Sequence, residues 1–575
     1  MPIEKKRLQI YRLCALLFCF SVFSLPAIFL FSTSYQDFSY YLLKETGKLH
    51  KLDEFQSGFL TIQKFWVIRI ISIFVPILTT LSVFVLSHFY SAISQYVKGI
   101  FGDILRKLLI VKEKFDGLSW TEKSAFLVYV IGLIAVRFYY ALTMPVSYDE
   151  AWTYFNFSEK GILTSLSYYP APNNHILFSI LTNISFWFPF DATTNLRIPS
   201  ILIGIVACLI FATIVFRYFG FKASLVGSAV FTFLPVSTYY GYMARGYGLT
   251  LLAFVIGLYA TLKIMSDSEN RLNWFAWIVS SVIGFYSIPI YLFPFVSLTL
   301  LLFINIIWQA NYKRFLELFL SGSIVTTIVI ILYTPIFFIS GIGSVTSNKF
   351  VIVHDRVEMS GSLFFYFQKT FDYFIGIPYG WLILSVATLL AVFFYTTRKL
   401  GLVVLYLFLI PFILLFIHSV ATGERTWFYQ ITTISLLVVI IICAVKKQVW
   451  FSNQVAYLFL ILIFSYGILT FSYQVRHIEG LDIEAHKLFL EMQNHKINSF
   501  YINDDLIDMP IEYYFEINKI PYQIHRAHIQ GELDISQSKF QYYILKKDSY
   551  DVTKFAKFNL IIENGFFDVY EFTRN

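Results

Sequence analysis

Up to about position 470 the chain alternates between apolar runs of roughly 20 residues and short polar stretches. Thirteen runs are candidate membrane-spanning helices: 10–32, 65–90, 124–144, 198–218, 223–243, 247–266, 273–290, 291–309, 315–339, 380–397, 402–420, 428–445 and 450–470. The first follows a basic start, "MPIEKKR". It has no small-x-small cleavage site and is longer than a signal-peptide core, so it reads as an uncleaved span. Beyond 471 the period changes. "IEAHKLFLEMQNHKI" (483–497) has the spacing of an amphipathic helix. "SFYIND", "PYQIHR", "QYYILKK" and "FNLIIENGFFDVYEF" alternate with period two, the last around an Asn564-Gly565 hairpin turn. The pattern predicts a polytopic α-helical membrane protein of about 13 transmembrane helices with a small C-terminal external α/β domain. Three regions follow: two extra N-terminal transmembrane helices and a basic cytoplasmic linker (1–123), a transmembrane core (124–470) and the α/β domain (471–575).

Charge between the runs sets an orientation. Basic groups sit at Lys5-Lys6-Arg7, through 91–123, at Arg217 and Lys222, at Lys263 and Arg271, at Lys313-Arg314, Arg398-Lys399 and Lys446-Lys447. With thirteen spans these share one side, and an excess of Lys and Arg marks the cytoplasm. The 33–62 loop, with Lys44, Lys48 and Lys51, blurs the pattern. The expected location is the inner or plasma membrane, N-terminus cytoplasmic and C-terminal domain extracytoplasmic. "YDEAWTY", "MARGYGL" (243–249), the 340–379 loop and "TGERTWFYQ" (422–430) then gather on the outer face. The 145–197 segment is too long for a turn and predicts two helices along that surface, broken at "YYPAPNN".

Composition agrees with the membrane class. Hydrophobic residues make up 57% and charged residues 14%, against about 25% charged in soluble domains. The net charge of +8 is explained by orientation signals, which removes the case for nucleic acid. Cys14, Cys19, Cys208 and Cys443 fall in apolar runs without metal-ligand or CxxC spacing and read as small core residues.

Asp149 and Glu150 stand out first. Carboxylates beside a span are most often solvated, and aromatic belts alone account for Tyr148, Trp152 and Tyr154. Yet ionisable groups at that depth usually serve a purpose. His175 follows a Pro- and Asn-rich turn that holds it in place, although a single His near an interface is more often structural. Arg245 and Tyr247 lie in "YYGYMARGYGLTLL", where a snorkelling arginine is the ordinary explanation. Arg425 stands beside Glu424 and Trp427, where an exposed local ion pair would mean little. His354, Asp355, Arg356 and Glu358 form a further polar group whose spacing matches no metal motif.

One or two carboxylates, two arginines and aromatic side chains at an outer membrane surface suit a substrate delivered by the membrane itself. No P-loop or dinucleotide fingerprint is present. A polyprenyl-phosphate sugar fits, because its leaving group is already a weak base and needs no general acid. Glycoside hydrolysis differs: there a pair of carboxyls shares acid and base duty. One carboxylate accepts the proton of an acceptor hydroxyl. Arginines hold the phosphate and stabilise the charge that develops on it.

These residues resemble the GT-C fold glycosyltransferases, in the branch holding the dolichyl-phosphate-mannose protein mannosyltransferases and the bacterial aminoarabinose lipid A transferase. "YDEAWTY" looks like that branch's acidic motif in the first external loop of the core. "PNNHILFSIL" is similar to its "HPPL"-type stretch, with Ile176 and Leu177 where the two prolines stand. "ARGYGL" and "ERTWFYQI" are similar to its two arginine motifs, and the likeness covers about 124–470. The resemblance implies an inverting transfer from a polyprenyl-phosphate sugar donor to a hydroxyl on a lipid, glycan or protein acceptor. It implies Asp149 as catalytic base, Glu150 in support, and Arg245 and Arg425 on the donor phosphate. Tyr148, His175, Tyr247 and Trp427 would line the substrate. Some GT-C enzymes use a divalent metal; no obligatory metal or other cofactor is expected here.

Other classes fit less well. A flippase or transporter of lipid-linked saccharides needs polar groups near the midplane, whereas Arg137 and Glu317 lie near span ends. A receptor would use the C-terminal domain but leave the loop residues unexplained. An O-antigen ligase or polysaccharide polymerase also acts on lipid-linked sugars, but the "DE" pair in the first core loop favours the transferase.

Overall fold

The computed structural model describes residues 2–45, 52–88, 90–266, 271–346, 352–353, 355–393, 398–445, 452–478, 480–502, 506–526, 540–547 and 558–572. Each of the thirteen candidate segments holds a helix. Among the described residues eight helices are long and apolar enough to cross a membrane. Two bent pairs raise the total to ten: Leu16–Ser32 with Tyr35–Lys44, at 112°, and Arg356–Ile375 with Gly380–Phe393, at 92°. The other three segments hold helices of only 13, 17 and 16 residues: Phe221–Phe233, Arg271–Ser287 and Gln430–Val445. The chain is a multi-pass membrane protein.

Two compact units divide it: 1–119 with 160–174 and 256–351, and 120–159 with 175–255 and 352–575. In the first, Pro2–Ser32 packs along Ile62–His88. Arg69 ties them together, its Nε donating to the Leu30 carbonyl at 2.8 Å and its guanidinium lying 4.5 Å from the Phe65 ring centre. The 91–123 stretch, expected as a linker, is mostly one helix, Tyr90–Asp116. Exposed Phe101, Leu105 and Leu108 recur at i, i+4 and i+7, the spacing of an amphipathic helix. Beyond Ile162–Ser167, the Asn174 amide donates to the Ser165 and Tyr168 carbonyls and closes the expected turn.

In the second unit, Trp120–Thr143, Ala192–Phe219, Phe221–Phe233, Gln430–Val445 and Asn453–Ile478 form the helical body. The run expected as one span over 223–243 breaks at Leu234-Pro235. Leu234 is extended (ψ 140°), as a residue before proline prefers, and Pro235 opens a second helix, Pro235–Tyr240. The break brings Tyr239, Tyr240 and the following "MARG" turn to the end of the bundle. The stretch expected as a loop at 340–379 carries a 20-residue helix, Arg356–Ile375. Asp355 caps it by accepting from the Val357 and Glu358 amides, and Gly376 ends it in the left-handed region (φ 87°).

Among the described residues the C-terminal part is a five-stranded sheet with two helices. Strand order is Gln523–Arg526, Ser499–Ile502, Tyr542–Lys546, Phe567–Phe572, Phe558–Glu563. The first three strands are parallel and the last two pair antiparallel around Asn564-Gly565. Gly480–Asn494 buries Ala485, Leu488, Phe489 and Met492, the apolar stripe seen in the sequence. Asp508–Ile517 is a further helix that the strand-like spacing around it conceals.

Candidate active site

The site lies wholly within the second unit and is built around a six-residue helix, Tyr148–Thr153. Pro145 follows the Trp120–Thr143 helix, and Ser147 starts the new one as N-cap. A capping box closes it: the Glu150 amide donates to Ser147 Oγ, and the Ser147 amide to Glu150 Oε2 at 3.0 Å. Successive residues on a helix point about 100° apart, so Asp149 and Glu150 diverge.

Glu150 turns inward and is fully buried (0% exposed). Its Oε1 accepts from Arg197 Nε at 2.9 Å and from the Ala244 amide at 2.8 Å; Oε2 accepts from Arg197 at 2.7 Å. Arg197 also donates to the carbonyls of Ala141, Met144 and Pro145. One ion pair thus joins the end of a span, the acidic helix, the start of the Ala192–Phe219 helix and the "MARG" turn. Paired and hydrogen-bonded this fully, a buried charge pair fixes geometry.

Asp149 faces the other way. Its Oδ2 lies 2.5 Å from Arg425 and 4.0 Å from Arg245 Nε. Arg245 is buried, whereas the Arg425 side chain is 49% exposed. Arg245 also donates to Thr153 Oγ1 at 3.3 Å, and that hydroxyl donates to the Asp149 carbonyl. Glu424 pairs with Lys369 at 2.5 Å, not with its neighbour Arg425.

His175 is buried beside Arg245, with Nε2 3.3 Å from the guanidinium. The Gly246 amide donates to His175 Nδ1 at 2.7 Å. Gly246 has to be glycine for this approach, since a Cβ there would stand 2.8 Å from His175 Cβ. Burial, then the charges of Arg245 and Arg425, hold the imidazole well below its usual range, so it is neutral. Tyr247 meets the His175 ring edge-on at 5.0 Å, Tyr240 packs on Tyr247 at 4.7 Å, and Tyr240 shares a 2.9 Å hydrogen bond with Tyr373.

The structure therefore gathers Asp149, Arg245, Arg425, His175 and Tyr247, and sets Glu150 behind them. Tyr148 is half-buried against Trp152, and its amide donates to Asp482 at 2.9 Å. Trp427 is buried and stacks on Phe412 at 5.2 Å, a packing position. Sequence reasoning passed over Arg197, Thr153, Tyr240, Tyr373 and Asp482. Arg197 alone left a signal: a charge just inside a long apolar run, "NLRIPSILIGIVACLIF". His354 of the remaining polar group lies outside the described residues. Among the described residues no group of three or more His, Cys, Asp or Glu is placed to hold a metal ion.

No protein-family model matches the chain. No curated protein matches it either. Solved structures do match its fold. The crystal structure of ArnT from Cupriavidus metallidurans in the apo state aligns with a TM-score of 0.54 at 11% identity, over 78% of this chain and 98% of that one. The same protein bound to undecaprenyl phosphate aligns with a TM-score of 0.50 at 10% identity, over 77% and 97%. At that identity the likeness speaks for architecture, and in architecture the chain has the GT-C fold.

Proposed function

We propose that the protein is a membrane glycosyltransferase that moves a sugar from a polyprenyl-phosphate donor to an acceptor hydroxyl, with inversion, on the extracytoplasmic face. The observation that carries this reading is the placement of Asp149 between Arg425 and Arg245. A carboxylate to take one proton and two cations to receive one phosphate are the groups such a transfer requires. The undecaprenyl phosphate in the ArnT structure supports a polyprenyl-phosphate carrier. The GT-C fold supports a glycosyltransferase.

The acceptor oxygen attacks the anomeric carbon and its proton passes to Asp149. The bond from that carbon to the phosphate oxygen breaks, and its electron pair stays on the phosphate. Arg245 and Arg425 turn from Asp149 toward the phosphate and stabilise the departing charge. His175 joins them. Because its Nδ1 accepts the Gly246 amide, the ring proton sits on Nε2, which then faces the Arg245 guanidinium at 3.3 Å as a second donor. One phosphate oxygen satisfies both donors. Glu150 takes no part in proton transfer and acts as a positioning residue through Arg197. Two arginines and a histidine supply the electrostatic stabilisation, so no step is routed through a metal ion.

The test is Asp149→Asn, which keeps the shape of the side chain and removes the base. Transfer in native membranes should fall by about 10²–10⁴-fold while folded protein is retained. Transfer near the wild-type rate would rule out Asp149 as base.

A further inference from the structure

The entrance to the acidic helix presents three consecutive amides, and each donates to a side-chain oxygen. The Ser147 amide finds Glu150 within the loop. The other two reach the C-terminal domain: the Val146 amide donates to the Tyr514 hydroxyl at 2.7 Å, and the Tyr148 amide to Asp482 Oδ1 at 2.9 Å. Asp482 and Tyr514 are buried, on the Gly480–Asn494 and Asp508–Ile517 helices. The grip extends past the far end of the acidic helix. Tyr513 meets the Tyr154 ring edge-on at 5.0 Å, and its hydroxyl shares a 3.0 Å hydrogen bond with Thr193.

A helix of six residues is far too short to hold its own direction. The amides at and just before its start need partners from elsewhere, and two of those partners come from a domain more than 300 residues further along the chain. Burying a carboxyl group in order to accept one amide is costly. Burial pushes Asp482 up to about 8 against the pull of the Tyr148 amide, and the charges of Glu150 and Asp149 add to the rise. Apolar contacts alone would dock the domain without that cost. What the carboxyl adds is a fixed position for the peptide immediately before Asp149.

We propose that Asp482, assisted by Tyr514, is a positioning residue for sugar transfer: the C-terminal domain clasps the Val146–Tyr148 backbone and so holds the Asp149 carboxyl at its distance from Arg245 and Arg425. This rests on the reading of Asp149 as the base. The domain is then part of the catalytic frame, and the acid works through a backbone amide without touching substrate.

The experiment compares Asp482→Ala, Asp482→Asn, Tyr514→Phe and Asp149→Asn in the full-length protein. Rates are read in native membranes as undecaprenyl phosphate released from donor lipids extracted from the same host cells. Amide hydrogen exchange over 145–153 is read on detergent-purified protein. Asp482→Ala should lower the maximal rate by about 10–100-fold, leave the apparent KM for donor unchanged, and speed exchange at Tyr148. Tyr514→Phe should do the same at Val146 to a smaller degree. Asp482→Asn, whose Oδ1 still accepts the amide, should return to within about threefold of wild type, because the hydrogen bond is kept. Wild-type rate or unchanged exchange in Asp482→Ala would overturn the proposal, as would an Asp482→Asn variant as impaired as Asp482→Ala. Asp149→Asn separates the two claims. If it retains transfer, the assignment of the base fails; if it abolishes transfer while Asp482→Ala does not, only the clasp fails.

Discussion

Around Glu150 charge and hydrogen bonding close on themselves. Arg197 meets both carboxylate oxygens, and its remaining donors reach the carbonyls of Ala141, Met144 and Pro145. Around Asp149, one residue earlier, two guanidiniums converge on one carboxylate, and the Arg425 side chain is half exposed. Adjacent acids in the sequence therefore hold two different places. A saturated, buried pair resists change and fixes geometry. A cluster with more positive than negative charge, open on one side, suits an anion that comes and goes.

The contrast can be broken from either end. The largest expected effect on folding is at the closed end. Glu150→Gln leaves Arg197 buried without its counter-charge and should cost about 3–5 kcal/mol of stability, read as a lower unfolding midpoint in detergent. At the open end, Arg245→Ala should lower kcat/KM for donor by about 10²–10³-fold, the scale for losing one donor to a developing charge. Its unfolding midpoint should move less than that of Glu150→Gln. Gly246→Ala drives a methyl group against His175 and should destabilise by about 1–3 kcal/mol, as overpacking does, with a raised donor KM. On the proposed reading EDTA-treated membranes should keep transfer, because charge stabilisation is assigned to Arg245, Arg425 and His175. A strict, restorable metal requirement would contradict that assignment.

A last effect is a pH slope. Asp482 faces Glu150 and Asp149 on the acidic helix and Tyr514 on the Asp508–Ile517 helix, with His486 one turn along its own helix. Its folded value of about 8 lies above that of an unfolded aspartate. Between the two the folded protein keeps a proton that the unfolded chain has lost, so stability declines as pH rises toward 8. Asp482→Asn cannot ionise and should lack that slope. Unfolding midpoints at pH 5.5 and 8 should diverge between the two proteins, with wild type losing ground at the higher pH.

The membrane architecture was legible because apolar runs of bilayer length need no tertiary information. So were the four strand segments and the amphipathic 483–497 helix, whose periods are local. The break at Pro235 was visible as a residue but not as an ended span, because the apolar run continues across it. The Arg356–Ile375 helix was hidden by its mixed charge and revealed by its caps, Asp355 and Gly376. Of the candidate site, Asp149, Arg245 and Arg425 were singled out by type and sidedness, and His175 by the Pro- and Asn-rich turn before it. The different surroundings of Asp149 and Glu150 were not, since they depend on Arg197, 47 residues from Glu150. Trp427 looked like a lining residue because of its neighbour Arg425, yet it packs on Phe412. Asp482 belongs to a contact between distant segments, which no local spacing announces.

The central claim is that Asp149 accepts the proton while Glu150 only holds it in place. The most direct measurement is sugar transfer by Asp149→Asn in native membranes, normalised to folded protein and set beside its unfolding midpoint. Transfer should fall by at least about 10²-fold with the midpoint close to wild type. Transfer at more than about a tenth of the wild-type rate, well short of what losing a general base costs, would contradict it.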